Sequence, residues 1–126
     1  MMNNKILIIE DNALNLELAT VLLEMNGFAV ASARTAEDGL RLARELLPAL
    51  VLMDFSLPGM DGLSATKNLK TDPATSHLAV VGLTANAMKG DQETALQAGC
   101  DGYLTKPIDT RTFAATVKRF IAARLM

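Results

Sequence analysis

Apolar residues recur along this chain in two rhythms. Ile6-Leu7-Ile8-Ile9, Leu50-Val51-Leu52-Met53, Val80-Val81-Gly82-Leu83 and Gly102-Tyr103-Leu104-Thr105 are short, nearly continuous runs. Such runs mark strands covered on both faces. Phe28-Ala29-Val30 predicts one more strand. Between them the spacing becomes helical. Leu14, Leu18, Val21, Leu22 and Met25 form one stripe of the kind with which a helix faces its core, with Asn12 as the N-cap and Gly27 as the stop. Thr35 and Asp38 resemble a capping box for a second helix, whose inward face is Ala36, Leu40, Ala43 and Leu47. Pro48 prevents that helix from running into the next strand. A third helix is predicted over 63–69, and Asp109 is placed to cap a last one with Phe113, Val117, Phe120 and Ile121 as its apolar face. The segment from Asn86 to Ala98 is the weakest helix, because Gly90 costs about 1 kcal/mol against Ala and few large apolar residues accompany Met88 and Leu96.

The resulting alternation, βαβαβαβαβα, predicts an α/β fold: a doubly wound parallel sheet with helices on both faces. A chain of 126 residues is expected to be one domain, 1–126, and the twenty residues after Lys106 leave room for a helix but no output domain. In a parallel sheet the C-terminal strand ends open onto one edge, where ligands bind. Here those ends carry Glu10-Asp11, Asp54, Thr84 and Lys106. Singly each has an ordinary use as a cap or a solvated turn. Together they point to Mg²⁺ and a phosphoryl group. A carboxylate is a nucleophile that needs no deprotonation at neutral pH, but Glu10 and Asp11 would repel both Asp54 and an incoming phosphate. A hard divalent cation answers both repulsions. The expected ligands are Asp11, Asp54 and the Ser56 backbone carbonyl, with Glu10 acting directly or through water. Lys106 supplies a further positive charge, and the Thr84 hydroxyl is placed to donate to a phosphoryl oxygen.

Composition narrows the alternatives. Net charge is −2 with no Lys/Arg-rich stripe, which gives nucleic-acid binding no electrostatic support. The longest apolar stretch, Leu46 to Met53, contains Pro48 and is far short of a membrane span. The N-terminus runs from Met1-Met2-Asn3-Asn4-Lys5 directly into a strand, with no signal peptide, and the single cysteine, Cys100, fits a reducing compartment. A cytoplasmic location is expected. Cys100 is read as a small packing group and the only histidine, His77, as a loop residue without the surroundings of a phosphodonor.

Several motifs carry a resemblance: Ile8-Ile9-Glu10-Asp11-Asn12, the run from Leu52 through Asp54-Phe55-Ser56-Leu57-Pro58-Gly59-Met60-Asp61 to Gly62, Leu83-Thr84-Ala85 and Tyr103-Leu104-Thr105-Lys106-Pro107. In these the chain resembles the response-regulator receiver family. The segments from Ala87 to Asp91 and from Ala98 to Pro107 resemble those of stand-alone cell-cycle regulators of that family and of receivers of hybrid kinases. The resemblance implies a flavodoxin-like three-layer sandwich with strand order 2-1-3-4-5. It implies that Asp54 is the phosphoacceptor, served by a histidine kinase or a histidine phosphotransfer protein. It also implies a cis Lys106–Pro107 bond. Thr84 and Tyr103 would form a switch that alters the face of helix four, strand five and helix five for a downstream protein partner. The side chains of Ser56 and Asn86 would flank the water that hydrolyses the phosphorylated state.

On this reading the chain is a binding module rather than an enzyme. An intermediate phosphate shuttle is the alternative, with the same site. An aspartate-based phosphatase would need an acid/base Asp at position 56, where this chain has Ser56. A flavin-binding reading fails on the acidic loop after the first strand, which lacks residues to cradle phosphate.

Overall fold

In the computed structural model, residues 3–57, 59–60, 62–84 and 89–125 are described. Pro58, Asp61, Ala85, Asn86, Ala87 and Met88 therefore lie outside the described residues, and with them the predicted start of the fourth helix and the water-flanking role given to Asn86. Five strands alternate with five helices: β1 (Lys5–Ile9), α1 (Ala13–Glu24), β2 (Ala29–Ala33), α2 (Ala36–Leu46), β3 (Leu50–Asp54), α3 (Gly62–Thr71), β4 (Ala79–Thr84), α4 (Lys89–Ala98), β5 (Gly102–Thr105) and α5 (Phe113–Leu125). The strands form one parallel sheet in the order β2-β1-β3-β4-β5. This is the doubly wound arrangement the alternation predicted.

Strand alternation divides the core between the two faces. Leu7, Ile9, Val51, Met53 and Val80 pack with Leu40 and Ala43 of α2, Ala65 and Leu69 of α3, and Ala95 of α4. Ile6, Ile8, Leu50, Leu52, Val81 and Leu83 pack on the other face with Ala19 and Leu23 of α1 and Phe113 and Val117 of α5. Residues 50–54 are all buried, which accounts for the unbroken apolar run that ends in a carboxylate.

The helix signals hold at the level of hydrogen bonds. Asn12 Oδ1 accepts the Asn15 amide at 3.0 Å, and Thr35 Oγ1 accepts the Asp38 amide at 3.2 Å. The Asp38 carboxylate turns instead to Arg41, so only half of the capping box forms. Gly27 takes φ +89°, a left-handed conformation that glycine adopts without strain, just after α1. Asp109 caps the turn leading into α5, accepting the Arg111 amide at 2.9 Å through its side chain and the Phe113 amide at 3.0 Å through its carbonyl. Leu47 departs from its assignment. It sits past the end of α2 in the left-handed region and is 43 % exposed, while Ala36, Leu40 and Ala43 are buried as predicted.

The larger correction concerns α1. Its regular stripe faces outward: Leu14 and Met25 are 76 % and 77 % exposed, and Leu18 and Val21 are 40 % and 46 % exposed. The sheet is met by Ala19 and Leu23, which lie roughly opposite that stripe on a helix of 3.6 residues per turn, with Leu16 and Leu22 half-buried beside them. The helix is apolar on two sides, so periodicity alone marked a stripe without saying which side the sheet would take. Small Ala19 allows close approach to the strands, and Leu23 fills the space beside it.

This assignment separates two truncations. Leu23→Ala should cost about 2–5 kcal/mol of stability, as for a fully buried leucine. Leu14→Ala should change stability by less than about 0.5 kcal/mol. Urea unfolding of both variants checks this, and equal losses would restore the outward stripe to the core.

Candidate functional site

The C-terminal ends of β1, β3, β4 and β5 converge on one crevice. β1 delivers Glu10 and Asp11. The Glu10 amide is tied to the Ala33 carbonyl at 3.0 Å, and Arg34 holds the Asp11 carbonyl at 2.7 Å. β3 delivers Asp54. β4 ends at Thr84, whose carbonyl accepts the Lys106 amide at 2.7 Å, and the Lys106–Pro107 bond that follows is cis. Glu10 and Asp54 are each 1 % exposed, while Asp11 is half-buried.

Lys106 spans the two buried acids, with Nζ 2.9 Å from Glu10 Oε2 and 3.1 Å from Asp54 Oδ1. Glu10 Oε1 accepts the Asn12 amide at 3.2 Å, which joins the crevice to the cap of α1. Asp54 Oδ1 also accepts the Ser56 amide at 2.9 Å and the Ser56 hydroxyl at 2.8 Å. Among the described residues, Glu10 Oε2 and Asp54 Oδ2 are buried without a hydrogen-bond partner, although Glu10 Oε2 is ion-paired with Lys106. Carboxylate oxygens of Glu10, Asp11 and Asp54 lie within 4.8 Å of one another.

Three acids against one ammonium leave the crevice formally negative, and burial makes that costly. Desolvation, followed by the neighbouring Asp54, pushes the Glu10 carboxyl above its ordinary range. Burial works on Asp54 in the same direction, but the Ser56 amide, Glu10, the Ser56 hydroxyl and Lys106 together hold it below the usual aspartate value. Burial also opposes the charge on Lys106, yet Glu10 and Asp54 outweigh it and raise the ammonium. Carboxylate oxygens of three acids this close together, with Asp54 Oδ2 buried and without a donor among the described residues, suit a divalent ion with oxygen ligands. The acidic pocket fits Mg²⁺ and a phosphoaspartate.

Residues 6–118 match the response regulator receiver domain. The chain belongs to that family. The polar-differentiation response regulator DivK of Brucella ovis is 42 % identical over 120 residues, covering 95 % of this chain and 98 % of that protein. The receiver domain of the sensor histidine kinase PA1611 of Pseudomonas aeruginosa, whose structure has a magnesium ion coordinated in the active site cleft, is 32 % identical with a TM-score of 0.87, covering 96 % of this chain and 99 % of that one. A CheY-like receiver domain protein of Methanospirillum hungatei is 26 % identical with a TM-score of 0.89, covering 98 % of each chain. The receiver takes part in two-component signalling.

The crevice of the receiver brings together Glu10, Asp11, Asp54, Ser56 and Lys106, with Thr84 at its rim. Tyr103 lies farther along the edge, half-buried on β5 in register with Gly82. Two glycines that the sequence reading passed over shape the loop after Asp54. A Cβ at Gly82 would collide with the Phe55 ring, and one at Gly62 with the Asp54 carbonyl. A glycine inside an apolar strand is itself a signal of close approach. His77 is exposed in the turn before β4, away from the crevice, and Cys100 is buried against Thr66.

The two acids carry opposite pH dependences. Asp54, with its pKa depressed, contributes stability above the unfolded value that is lost as pH falls through the folded one. Glu10, with its pKa raised, contributes stability only at low pH, and loses it as pH rises through its folded value. Glu10→Gln should therefore raise the metal-free Tm at pH 7, with the difference closing below about pH 4. A lower Tm at pH 7 would show that the Lys106 ion pair outweighs burial at Glu10.

Proposed function

We propose that this chain is a single-domain response regulator in which Asp54 accepts a phosphoryl group from a phosphohistidine. The observation that carries the reading is the Asp54 carboxylate itself: buried at the sheet edge among the carboxylates of Glu10 and Asp11, anchored through Oδ1, and without a hydrogen-bond donor to Oδ2 among the described residues. In the transfer the P–N bond of the donor breaks as an Asp54 oxygen bonds to phosphorus, and the imidazole leaves with the electron pair. Positioning and charge neutralisation govern such a step. Asp11, Asp54 and the Ser56 carbonyl would hold Mg²⁺, with Glu10 acting directly or through water. The ion, when bound, neutralises the acids and the transferred group. Lys106 and the Thr84 hydroxyl receive the phosphoryl oxygens. The chain acts as a cytoplasmic switch rather than as an enzyme. Tyr103 follows Thr84 inward on phosphorylation and alters the α4-β5-α5 face for a downstream protein, in division control by analogy with the DivK relatives.

The outward face of α1 supports a helical phosphodonor. An exposed line of Leu14, Leu18, Val21 and Met25 begins beside the Asn12 cap, next to the crevice, and Glu17 and Glu24 border it in a helix without Lys or Arg. Exposed apolar stripes of this kind mark binding surfaces. A histidine kinase or histidine phosphotransfer protein laying an apolar, basic-edged helix there would bring its phosphohistidine to Asp54. The same contact serves the second reading, an intermediate shuttle that returns the group to another histidine.

Incubation with acetyl phosphate and Mg²⁺ tests the acceptor. Intact mass should show one phosphoryl adduct on wild type, and none on Asp54→Asn or with EDTA. A wild-type adduct that persists in Asp54→Asn would move the acceptor elsewhere. For the docking face, Leu14→Glu should slow transfer from a histidine phosphotransfer protein roughly tenfold, the effect of losing one anchor. Labelling by acetyl phosphate should be unchanged. Equal transfer rates in both proteins would remove α1 from the interface.

A further inference from the structure

Helices α1 and α5 lie side by side on one face of the sheet, and their outward surfaces are opposite in character. The outer side of α1 exposes large apolar side chains, Leu14, Leu18, Val21 and Met25, flanked by Glu17 and Glu24, and the helix carries no Lys or Arg. In α5 the large residues turn inward: Phe113 and Val117 are buried, and Phe120 and Ile121 are half-buried. What α5 leaves outside is flat and basic. Ala115 and Ala122 are exposed with Lys118 and Arg119 between them, and the helix carries no Asp or Glu. Among the described residues, none of Glu17, Glu24, Lys118 and Arg119 takes part in an ion pair. A cleft of about 340 Å³ opens where the turn after α1 meets α5, with Gly27, Phe28, Lys118, Ile121 and Ala122 in its wall.

We propose that this face is an interface between two copies of the chain, α1 of each packing against α5 of the other. Both surfaces point away from the sheet, so neither covers the other within one chain. A second copy related by a two-fold axis brings them together twice, because a self-complementary patch makes the same contact in both directions. In each contact the large side chains of α1 meet a flat helix surface that admits close approach, and the cleft is a seat for one of them. Glu17 and Glu24 then face Lys118 and Arg119. These opposite charges set the orientation and disfavour pairing of α1 with α1, where acids would meet acids. Burial of the apolar stripe supplies the affinity. The dimer covers Leu14 and Leu18, so self-association and docking of a phosphodonor on α1 exclude each other. That consequence rests on the proposed docking face; the dimer itself does not.

Sedimentation of the metal-free, unphosphorylated chain tests this. The average mass should rise reversibly from one chain towards two between about 1 and 500 µM, as for a small interface. The rise should move to higher concentration when salt goes from about 0.05 to 0.5 M. Two charge-reversed proteins identify the pairing. Glu17→Lys with Glu24→Lys, and separately Lys118→Glu with Arg119→Glu, should each dimerise roughly tenfold more weakly than wild type. Mixed in equal amounts they should form a heterodimer at concentrations close to those of wild type, since each reversed helix then meets one of opposite charge. Recovery on mixing also shows that both proteins are folded. A mass of one chain at every concentration overturns the proposal. So does a dimer that either reversed protein retains, which moves the contact elsewhere, and so does failure of the mixture to associate. None of these readouts involves phosphoryl transfer, so their failure is distinct from failure of the acceptor reading.

Discussion

Like charges brought out of water in one crevice are the constraint around which the rest of this receiver is arranged. Glu10 and Asp54 are both 1 % exposed, and their carboxylates crowd together with that of Asp11. In a medium of low dielectric such a cluster persists only with compensation. Lys106 supplies part of it by ion-pairing with both buried acids, and backbone amides of Asn12 and Ser56 supply more. Among the described residues, Asp54 Oδ2 remains without a donor.

The fold serves this arrangement by delivering each charge on a rigid element. Parallel pairing of β1, β3, β4 and β5 brings their C-terminal ends to one edge, so residues as distant in sequence as Glu10 and Lys106 become neighbours. Two layers of aliphatic packing hold those strands in place. Loop backbones are fixed by specific close approaches, the Phe55 ring over Gly82 and the Asp54 carbonyl against Gly62. A side chain at either glycine would displace the loop that carries Ser56, whose amide and hydroxyl orient the Asp54 carboxylate. The exposed apolar stripe of α1 begins where the crevice ends, and the two surfaces use different residues.

Much of this was legible in the chain because its signals are local. Runs such as Leu50 to Met53 are buried on both faces and so are apolar without interruption, and the caps at Asn12 and Thr35 act within three residues. The site residues could be gathered from sequence because parallel topology sends every strand end to one edge, and because the receiver motifs keep their order. The distribution of charge between them was not legible. That Lys106 bridges Glu10 and Asp54, or that the Ser56 hydroxyl turns onto Oδ1, depends on ångström-scale placement of loops that pattern does not encode.

Helix α1 marks the division most clearly. Its sequence determined that a helix would form after Asn12 and end before Gly27, since capping and a left-handed glycine are properties of the chain itself. The orientation of that helix was a tertiary decision. Apolar residues line two opposite sides, and the sheet took the side with Ala19 and Leu23, where a small residue permits close contact and a large one fills the gap beside it. Leu14, Leu18, Val21 and Met25 were left to solvent. A periodic pattern records that a face is apolar, but only the shape of the neighbouring surface determines which apolar face is buried.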